Sequence, residues 1–404
     1  MASNVVLSTK EFKVVGKRPV RHDGYDKVTG KAQYGADVTL PGMLHGKVLR
    51  SPHSHARIRS INTSKAEALP GVMAVATSAD FPVIKARPLD YENFQGNPRL
   101  MAENILANDK TLYRGHAVAA VAATSPHVAE QALDLIEVDY EVLSTVLTWR
   151  DAMEADAAVL HENMTTRFRE DRAGPGQDTG VKGNVAGHLQ HKLGDVEKGF
   201  SEADVILERE YETQTVHQGY IEPHVSTAFW STDGRLTIWT ATQGAFAVRA
   251  ATCGILQLPE SAVKVIPTEI GGGFGAKGVT YLAPVSAVLA KKAGRPVKIA
   301  MSRKEVFEGS GPASATFMRV KLGAKKDGKL TAGQAYMVYE AGAFTGAPVG
   351  GGAVTTFGSY NIENMLVDGY DVVCNKQKAQ AYRAPGQPQA AFAVASAMDE
   401  LAEK

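Results

Sequence analysis

At 404 residues the chain exceeds what one hydrophobic core usually supports, so its length predicts at least two domains. Hydrophobic residues at 44% and charged residues at 22% describe an ordinary globular protein, and a formal net charge of +1 excludes a bulk electrostatic pull toward nucleic acid or an anionic membrane. The two cysteines, Cys253 and Cys374, lie far apart without a CxxC partner and read as buried thiols, which excludes an iron-sulfur cluster held by this chain alone, since that takes about four thiolates.

The N-terminal MASNVVLSTKEF lacks the basic region and apolar core of a secretory leader, and no apolar run approaches the ~18 residues of a spanning helix, so the expected location is cytoplasmic. Residues 12–150 mix strand and helix signals. Within them SPHVAEQALDLI (125–136) opens with a serine cap and a proline at the first helical position. It places Val128, Ala129, Ala132, Leu133 and Ile136 on one face, which predicts a helix packed on a sheet. The following IEVDYEVL alternates apolar and acidic residues and predicts a half-exposed strand. Residues 151–193 are expected to be a linker or long surface loop, because RFREDRAGPGQDTGVKGNVAGHLQHKLG is rich in glycine and charge and shows neither period.

Residues 194–404 alternate strand and helix. An Asp233-Gly234 turn between HVSTAFW and RLTIWTAT predicts a hairpin, AFAVRAATCGILQL a helix and SAVKVIPTEI a strand. YLAPVSAVLAKKAGRPVKIAM predicts a helix with two lysines in its last turn, Gly294 as its stop and a strand beyond Pro296. A second hairpin is centred on Asp327-Gly328. The final PQAAFAVASAMDELAEK is helical and apolar, and the core it packs into is expected to be completed by something else.

Between strand and helix lies TEIGGGFGAKG (268–278). Gly271 to Ala276 satisfies GxGxxA, the dinucleotide pattern, and a nicotinamide-dependent dehydrogenase is therefore one functional alternative. That site needs an acidic residue about 20 positions later for the ribose, and no Asp or Glu stands between Glu269 and Glu305. GxxxxGK[ST] fails too, because Lys277 follows alanine and precedes glycine. What survives is that residues without Cβ let backbone amides crowd a polar ligand. The bland alternative is a tight turn with Phe274 as a core plug. The pairs His53/His55 and His188/His191 lack the companions of a zinc site, and Lys325-Lys326 reads as solvated.

Three segments, Ala241-Thr242-Gln243, Gly271 to Lys277, and AYRAPGQPQ (381–389), resemble in order and spacing the molybdenum-binding subunit of the xanthine oxidase family of molybdenum hydroxylases. HDGYDKVTGKAQYGADVTLPGMLHGKVLRSPHSHARI is similar to the start of that family's α/β hammerhead domain, and Tyr220-Ile221-Glu222-Pro223-His224 to its Glu-Pro segment. The resemblance implies an α+β fold: a hammerhead-like domain over residues 12–150, then the first part of a molybdopterin-binding domain over 194–404. It implies a molybdenum-pyranopterin cofactor, expected in the cytosine dinucleotide form. Gln243 stands where a side-chain amide donates to an oxo ligand of the metal. Gly272, Gly273, Phe274, Gly275 and Ala276 stand where the loop backbone surrounds the centre, and Arg383 where the family has an arginine beside it.

The implied reaction is hydroxylation of an electrophilic carbon with oxygen from water, or the reductive reverse, with a glutamate as base. The base is absent from this chain, and Glu222 occupies a different place, so a structural role is expected for it. The expected partners are a second-half molybdenum subunit carrying the base, an iron-sulfur subunit with 2Fe-2S clusters, an FAD subunit and a small-molecule substrate. Gly278 and Pro385 take the positions of a glutamate and an aromatic clamp in purine-acting members, which disfavours purines. Ala384 replaces the copper-binding cysteine of the carbon monoxide branch. N-heteroaromatics, aromatic acyl thioesters and aldehydes remain. A non-catalytic scaffold or cofactor-delivery subunit is the other alternative.

Overall fold

The computed structural model describes residues 12–84, 94–170 and 176–404. Two seven-stranded sheets and one three-stranded sheet organise the described residues.

The first sheet runs Val263–Pro267, Leu236–Thr240, Val225–Trp230, Val297–Ala300, Leu44–Arg50, Ala117–Ala123, Val72–Thr77. Its strand Ala117–Ala123 is AVAAVAA and buried throughout, as a strand covered on both faces must be. Alternation assigns the faces. Ala120 and Ala122 join the core beneath helix Ala283–Ala293, whereas Ala119 and Val121 join Ala132 and Ile136 of the helix Pro126–Leu133 and the turn after it. Ser125 caps that helix, accepting from Val128 N–H at 3.2 Å, and the half-exposed strand Glu137–Val142 follows as the sequence predicts. Leu44–Gly46 pairs in parallel with Val297–Ile299. The sheet therefore draws strands from both sides of the 150/194 division.

The second sheet runs Val205–Thr213, Thr316–Ala324, Leu330–Gly342, Met365–Val373, Val185–Leu193, Thr165–Glu170, Gln177–Lys182. The segment expected to be a linker or loop supplies the last three of these strands. They escape a pattern-based reading because Gln177–Lys182 is exposed along its whole length and Val185–Leu193 buries only Ala186 and Leu189. Backbone pairing holds them, and the apolar alternation that marks a strand is missing. Both Asp-Gly hairpins form, with Gly234 at φ 82° and Gly328 at φ 88°. The terminal helix Gln387–Glu403 corrects a second expectation. Its Ala390, Ala393, Val394, Ala397 and Leu401 pack on Leu207, Met318, Val320 and Met337, so its core comes from this chain.

A third core packs the segment between the first-sheet strands Val72–Thr77 and Ala117–Ala123 against the second sheet. Phe94, Leu100, Leu112 and Tyr113 pack with Phe317, Val338, Phe344 and Val372. Two buried histidines pin this seam: His116 accepts Leu112 N–H at Nδ1 and donates from Nε2 to Glu103 O at 2.7 Å, and His161 donates to Ala343 O at 2.7 Å. Burial pulls both down to about 4, and His224, behind the first sheet, to about 3.

The unfolded chain takes up protons at these three histidines near pH 6.5, and the folded chain does not until about pH 4 or below. Their contribution to stability is present above pH 6.5 and is lost as the pH falls, at up to ~4 kcal/mol per pH unit for three protons. Urea midpoints measured from pH 7.5 to 4.5 should drop steadily, and replacing His161 with Gln should flatten the slope. Glycine gives a second test. Gly342 (φ +70°) and Gly328 (φ +88°) both sit in the left-handed region, but a Cβ on Gly342 would lie 1.8 Å from Gln377 O whereas Gly328 faces open space. Gly328→Ala should cost about 1 kcal/mol of strain and Gly342→Ala more than ~2 kcal/mol, read from thermal melts followed by circular dichroism.

Candidate functional site

The three segments singled out in the sequence meet. Gln243 Oε1 accepts from Gly275 N–H at 2.9 Å and Lys277 N–H at 3.3 Å, while its own backbone N–H donates to Lys277 O at 2.9 Å. Thr242 adds a hydroxyl donor to Lys277 O at 3.0 Å. From the third segment, Arg383 N–H donates to Phe274 O at 2.8 Å, and Gln218 Nε2 ties Ala381 O at 2.9 Å. The glycines are needed for closeness: a Cβ on Gly273 would lie 2.7 Å from Gln243 Oε1, and one on Gly275 2.8 Å from Ala381 O.

This crossing is strained. Phe274 (φ 54°), Arg383 (φ 28°) and Ala384 (φ 58°) all occupy the left-handed region without being glycine. Such residues cost of order 1–3 kcal/mol each and persist only where their surroundings over-determine them. Phe274 is 47% exposed, so it is no core plug. Gln243 and Arg383 are exposed as well, as are the neighbouring Ile221 and Phe246.

Beneath the loop is an ion pair that the sequence reading missed. Lys277 is 1% exposed and its Nζ meets Glu222 Oε2 at 2.6 Å. The same oxygen accepts Gly271 N–H at 2.8 Å, and Oε1 accepts Gly35 N–H at 3.3 Å. Burial lowers the lysine's pKa, and Glu222 opposes that. The signal was present: Lys277 is the one charged residue between Glu269 and Lys291, and a lone charge in an apolar, glycine-rich run needs a counter-ion. Tyr220 lies under the ammonium with its ring centroid 5.1 Å away, and its hydroxyl bonds His224 Nε2 and Ser310 Oγ at 2.8 and 2.9 Å.

Beside the loop lie two adjoining cavities. One, of about 410 Å³, is lined by Gly275, Gly278, Ala381, Pro385, Lys378 and Thr345 among others. The other, of about 290 Å³, is walled by Pro98, Met101, Ile105, Ala247 and Ala250. Phe94, Gly278, Val279 and Gln380 belong to both. The structure thus puts Gly278 and Pro385 on a cavity wall next to the loop.

A dinucleotide turn would open directly into a helix whose first N–H groups face the phosphate. Here Ala276–Gly278 is a kinked 3₁₀ turn, and the helix does not begin until Ala283. Cys253 and Cys374 are buried free thiols, and burial pushes Cys374 up to about 12. His55 Nδ1 bonds Ser144 O and His188 pairs with Asp368. Among the described residues no group of three or more His, Cys, Asp or Glu is placed to hold a metal ion, and no helix is long and apolar enough to cross a membrane.

Comparison with known proteins agrees with this organisation. Residues 29–144 match the aldehyde oxidase and xanthine dehydrogenase a/b hammerhead domain, and residues 178–404 match the molybdopterin cofactor-binding domain. The chain is 33% identical over 401 residues to the nicotinate dehydrogenase large molybdopterin subunit of Eubacterium barkeri, covering 98% of this chain and 87% of that one. It is 31% identical over 392 residues to the xanthine dehydrogenase molybdenum-binding subunit of Escherichia coli, over 95% of this chain and 49% of the relative. Among solved structures, carbon monoxide dehydrogenase from Oligotropha carboxidovorans superposes with a TM-score of 0.81 at 32% identity, and the aldehyde oxidoreductase of Desulfovibrio desulfuricans with 0.83 at 26%. The alignments cover 96% and 95% of this chain but only 48% and 41% of those chains, so it spans about half the length of most of these proteins. A hammerhead segment followed by a molybdopterin-binding segment, in a chain aligned almost end to end with molybdopterin subunits, means that this protein belongs to the xanthine oxidase family of molybdenum hydroxylase-type oxidoreductases.

Proposed function

We propose that Gln243, the loop Gly272-Gly273-Phe274-Gly275-Ala276 and Arg383 form one wall of a molybdenum-pyranopterin site in a multi-subunit oxidoreductase that hydroxylates, or reductively dehydroxylates, a small organic substrate. One observation carries this reading. Two backbone N–H groups hold the Gln243 carboxamide oxygen, so its NH₂ end is left as a fixed donor on the exposed face of the loop. The residues fit such a group: a fixed neutral donor, a glycine cradle that any side chain at 273 or 275 would fill, and an arginine whose guanidinium makes no hydrogen bond among the described residues. When bound, the cofactor would supply oxygen transfer and take up the electron pair. The chain's own part is to position it, to fix the donor at Gln243, and to shape the space beside Gly278 and Pro385.

Among the described residues, no carboxylate on this wall is free to act as base. Glu222 is committed to Lys277, Gly271 and Gly35. The base and the opposite wall are therefore assigned to a second molybdenum subunit that covers the exposed face around Phe274. An iron-sulfur subunit with 2Fe-2S clusters, an FAD subunit, the cytosine dinucleotide form of the pterin and a cytoplasmic location complete the proposal. That the relative from Eubacterium barkeri is named a large molybdopterin subunit supports a place for this chain within an assembly. Open space at Gly278 and Ala384 beside Arg383 argue against a purine and against carbon monoxide, which leaves aromatic, N-heteroaromatic and aldehyde substrates.

The assembled complex should contain one molybdenum per copy of this chain, measured by inductively coupled plasma mass spectrometry, together with pterin detected by fluorescence after oxidation. A fully assembled complex free of both would show a scaffold or delivery subunit instead. Gln243→Ala should lower molybdenum retention or turnover by about 10- to 100-fold, with only a small fall in melting temperature from the N–H groups of Gly275 and Lys277 that lose their acceptor. Glu222→Gln and Lys277→Met test the support beneath the loop. Each single change leaves one buried charge unpaired and should cost ~3–5 kcal/mol in denaturant unfolding, and the double change should cost clearly less than the sum.

A further inference from the structure

Lys378 is a buried cation that, among the described residues, no carboxylate contacts. It is 4% exposed, and its Nζ donates to Ala379 O at 2.8 Å and Gly346 O at 3.2 Å and lies 5.3 Å from the Phe94 ring centroid. All of these partners are uncharged. Asp371 acts on it through space, but the carboxylate accepts Gly346 N–H at 2.8 Å and Ala347 N–H at 3.2 Å and makes no ion pair with the lysine. Among the described residues the other buried lysine is Lys277, and Glu222 matches it at 2.6 Å. Burial pulls Lys378 down to about 8, and the charge of Asp371 opposes that fall.

The lysine lies on the wall of the 410 Å³ cavity that also touches Gly275, Gly278, Ala381 and Pro385, a volume in the range of small-molecule sites. Next to it, Gln380 is 8% exposed and lines both cavities, and its side-chain amide makes no hydrogen bond among the described residues. Phe94, Val279, Pro348 and Pro385 supply apolar walls. The cavity therefore has a cation and an amide donor, flat or apolar sides, and one edge on the glycine loop.

We propose that Lys378 and Gln380 form a carboxylate-binding subsite, and that the substrate is a small aromatic or heteroaromatic carboxylate. This rests on the reading of the glycine loop as the reacting edge of the site. A carboxylate meets one ammonium and one amide with its two oxygens, and its ring meets the apolar walls. A phosphate has more charge and more oxygens than these two groups satisfy.

Isothermal titration calorimetry on the assembled complex, with benzoate, benzamide and inorganic phosphate as probes, tests the subsite. Benzoate should bind at least about 10-fold more tightly than benzamide, and Lys378→Met should weaken benzoate by about 10- to 100-fold while benzamide shifts less than about twofold. Lys378→Arg should recover part of the loss. Should Lys378→Met fail to fold, Gly278→Glu provides the second variant. A side chain there meets nothing within 4 Å and needs no unusual backbone, and its carboxylate should repel benzoate by a similar factor. Equal binding of benzoate and benzamide, benzoate binding unchanged in either variant, or phosphate that binds more tightly than benzoate overturns the subsite. Molybdenum content in the same samples separates the two readings. Metal present without a benzoate preference sinks the subsite alone, and Lys378-dependent benzoate binding in a metal-free complex sinks the reading of the loop alone.

Discussion

The site depends on the contact between Glu222 and Lys277. An ammonium with 1% exposure is costly without a partner, and the carboxylate that neutralises it also accepts the N–H of Gly271 and of Gly35. One charge pair thus holds both ends of the glycine loop against the segment that follows Tyr220. With Lys277 fixed, its carbonyl becomes the acceptor for Thr242 and Gln243, and its N–H, with that of Gly275, sets the Gln243 carboxamide. The exposed donor on the surface is oriented by a chain of bonds that begins at a buried charge.

The same arrangement accounts for where the backbone is strained. Phe274 and Arg383 are forced to positive φ where the Phe274 carbonyl accepts the Arg383 N–H, and Ala384 follows. Strain of that kind would relax in a free loop. It is held here because Gly275 leaves no room between the loop and Ala381, and Gln218 fixes Ala381 from below. Rigidity is what a site needs if its polar groups are to be in place before a ligand arrives.

Much of this organisation was legible in the sequence. Serine and proline at helix starts, Gly294 at a helix stop and two Asp-Gly turns each fix a local conformation by their own chemistry, and each element forms where expected. The three site segments were legible too, through a resemblance, and the structure brings them together. Three features were not. Strands Thr165–Glu170, Gln177–Lys182 and Val185–Leu193 form one side of their sheet, with Gln177–Lys182 at the edge, and bury few apolar residues, so composition reads as loop. The partner of Lys277 lies 55 residues away, a distance that no local rule spans. In NKQKAQ, Lys376 and Lys378 look like an ordinary solvated run, and only the fold shows that Lys378 is turned inward while Lys376 stays part-exposed on Glu340.

The position of the site follows from the way the two large sheets are joined. Gln243 and the glycine loop are carried by the first sheet, leaving strands Leu236–Thr240 and Val263–Pro267, while Lys378 to Pro385 follow Met365–Val373 of the second. Neither half makes the wall alone. The core of Phe94, Tyr113, Phe317 and Phe344 holds the halves in register, and Phe94 is at once part of that core, a wall of both cavities and the ring beneath Lys378. A substitution that loosens the seam would therefore move the cavity relative to the loop before it unfolds either sheet. In this fold the geometry of binding and the packing between halves are coupled through Phe94.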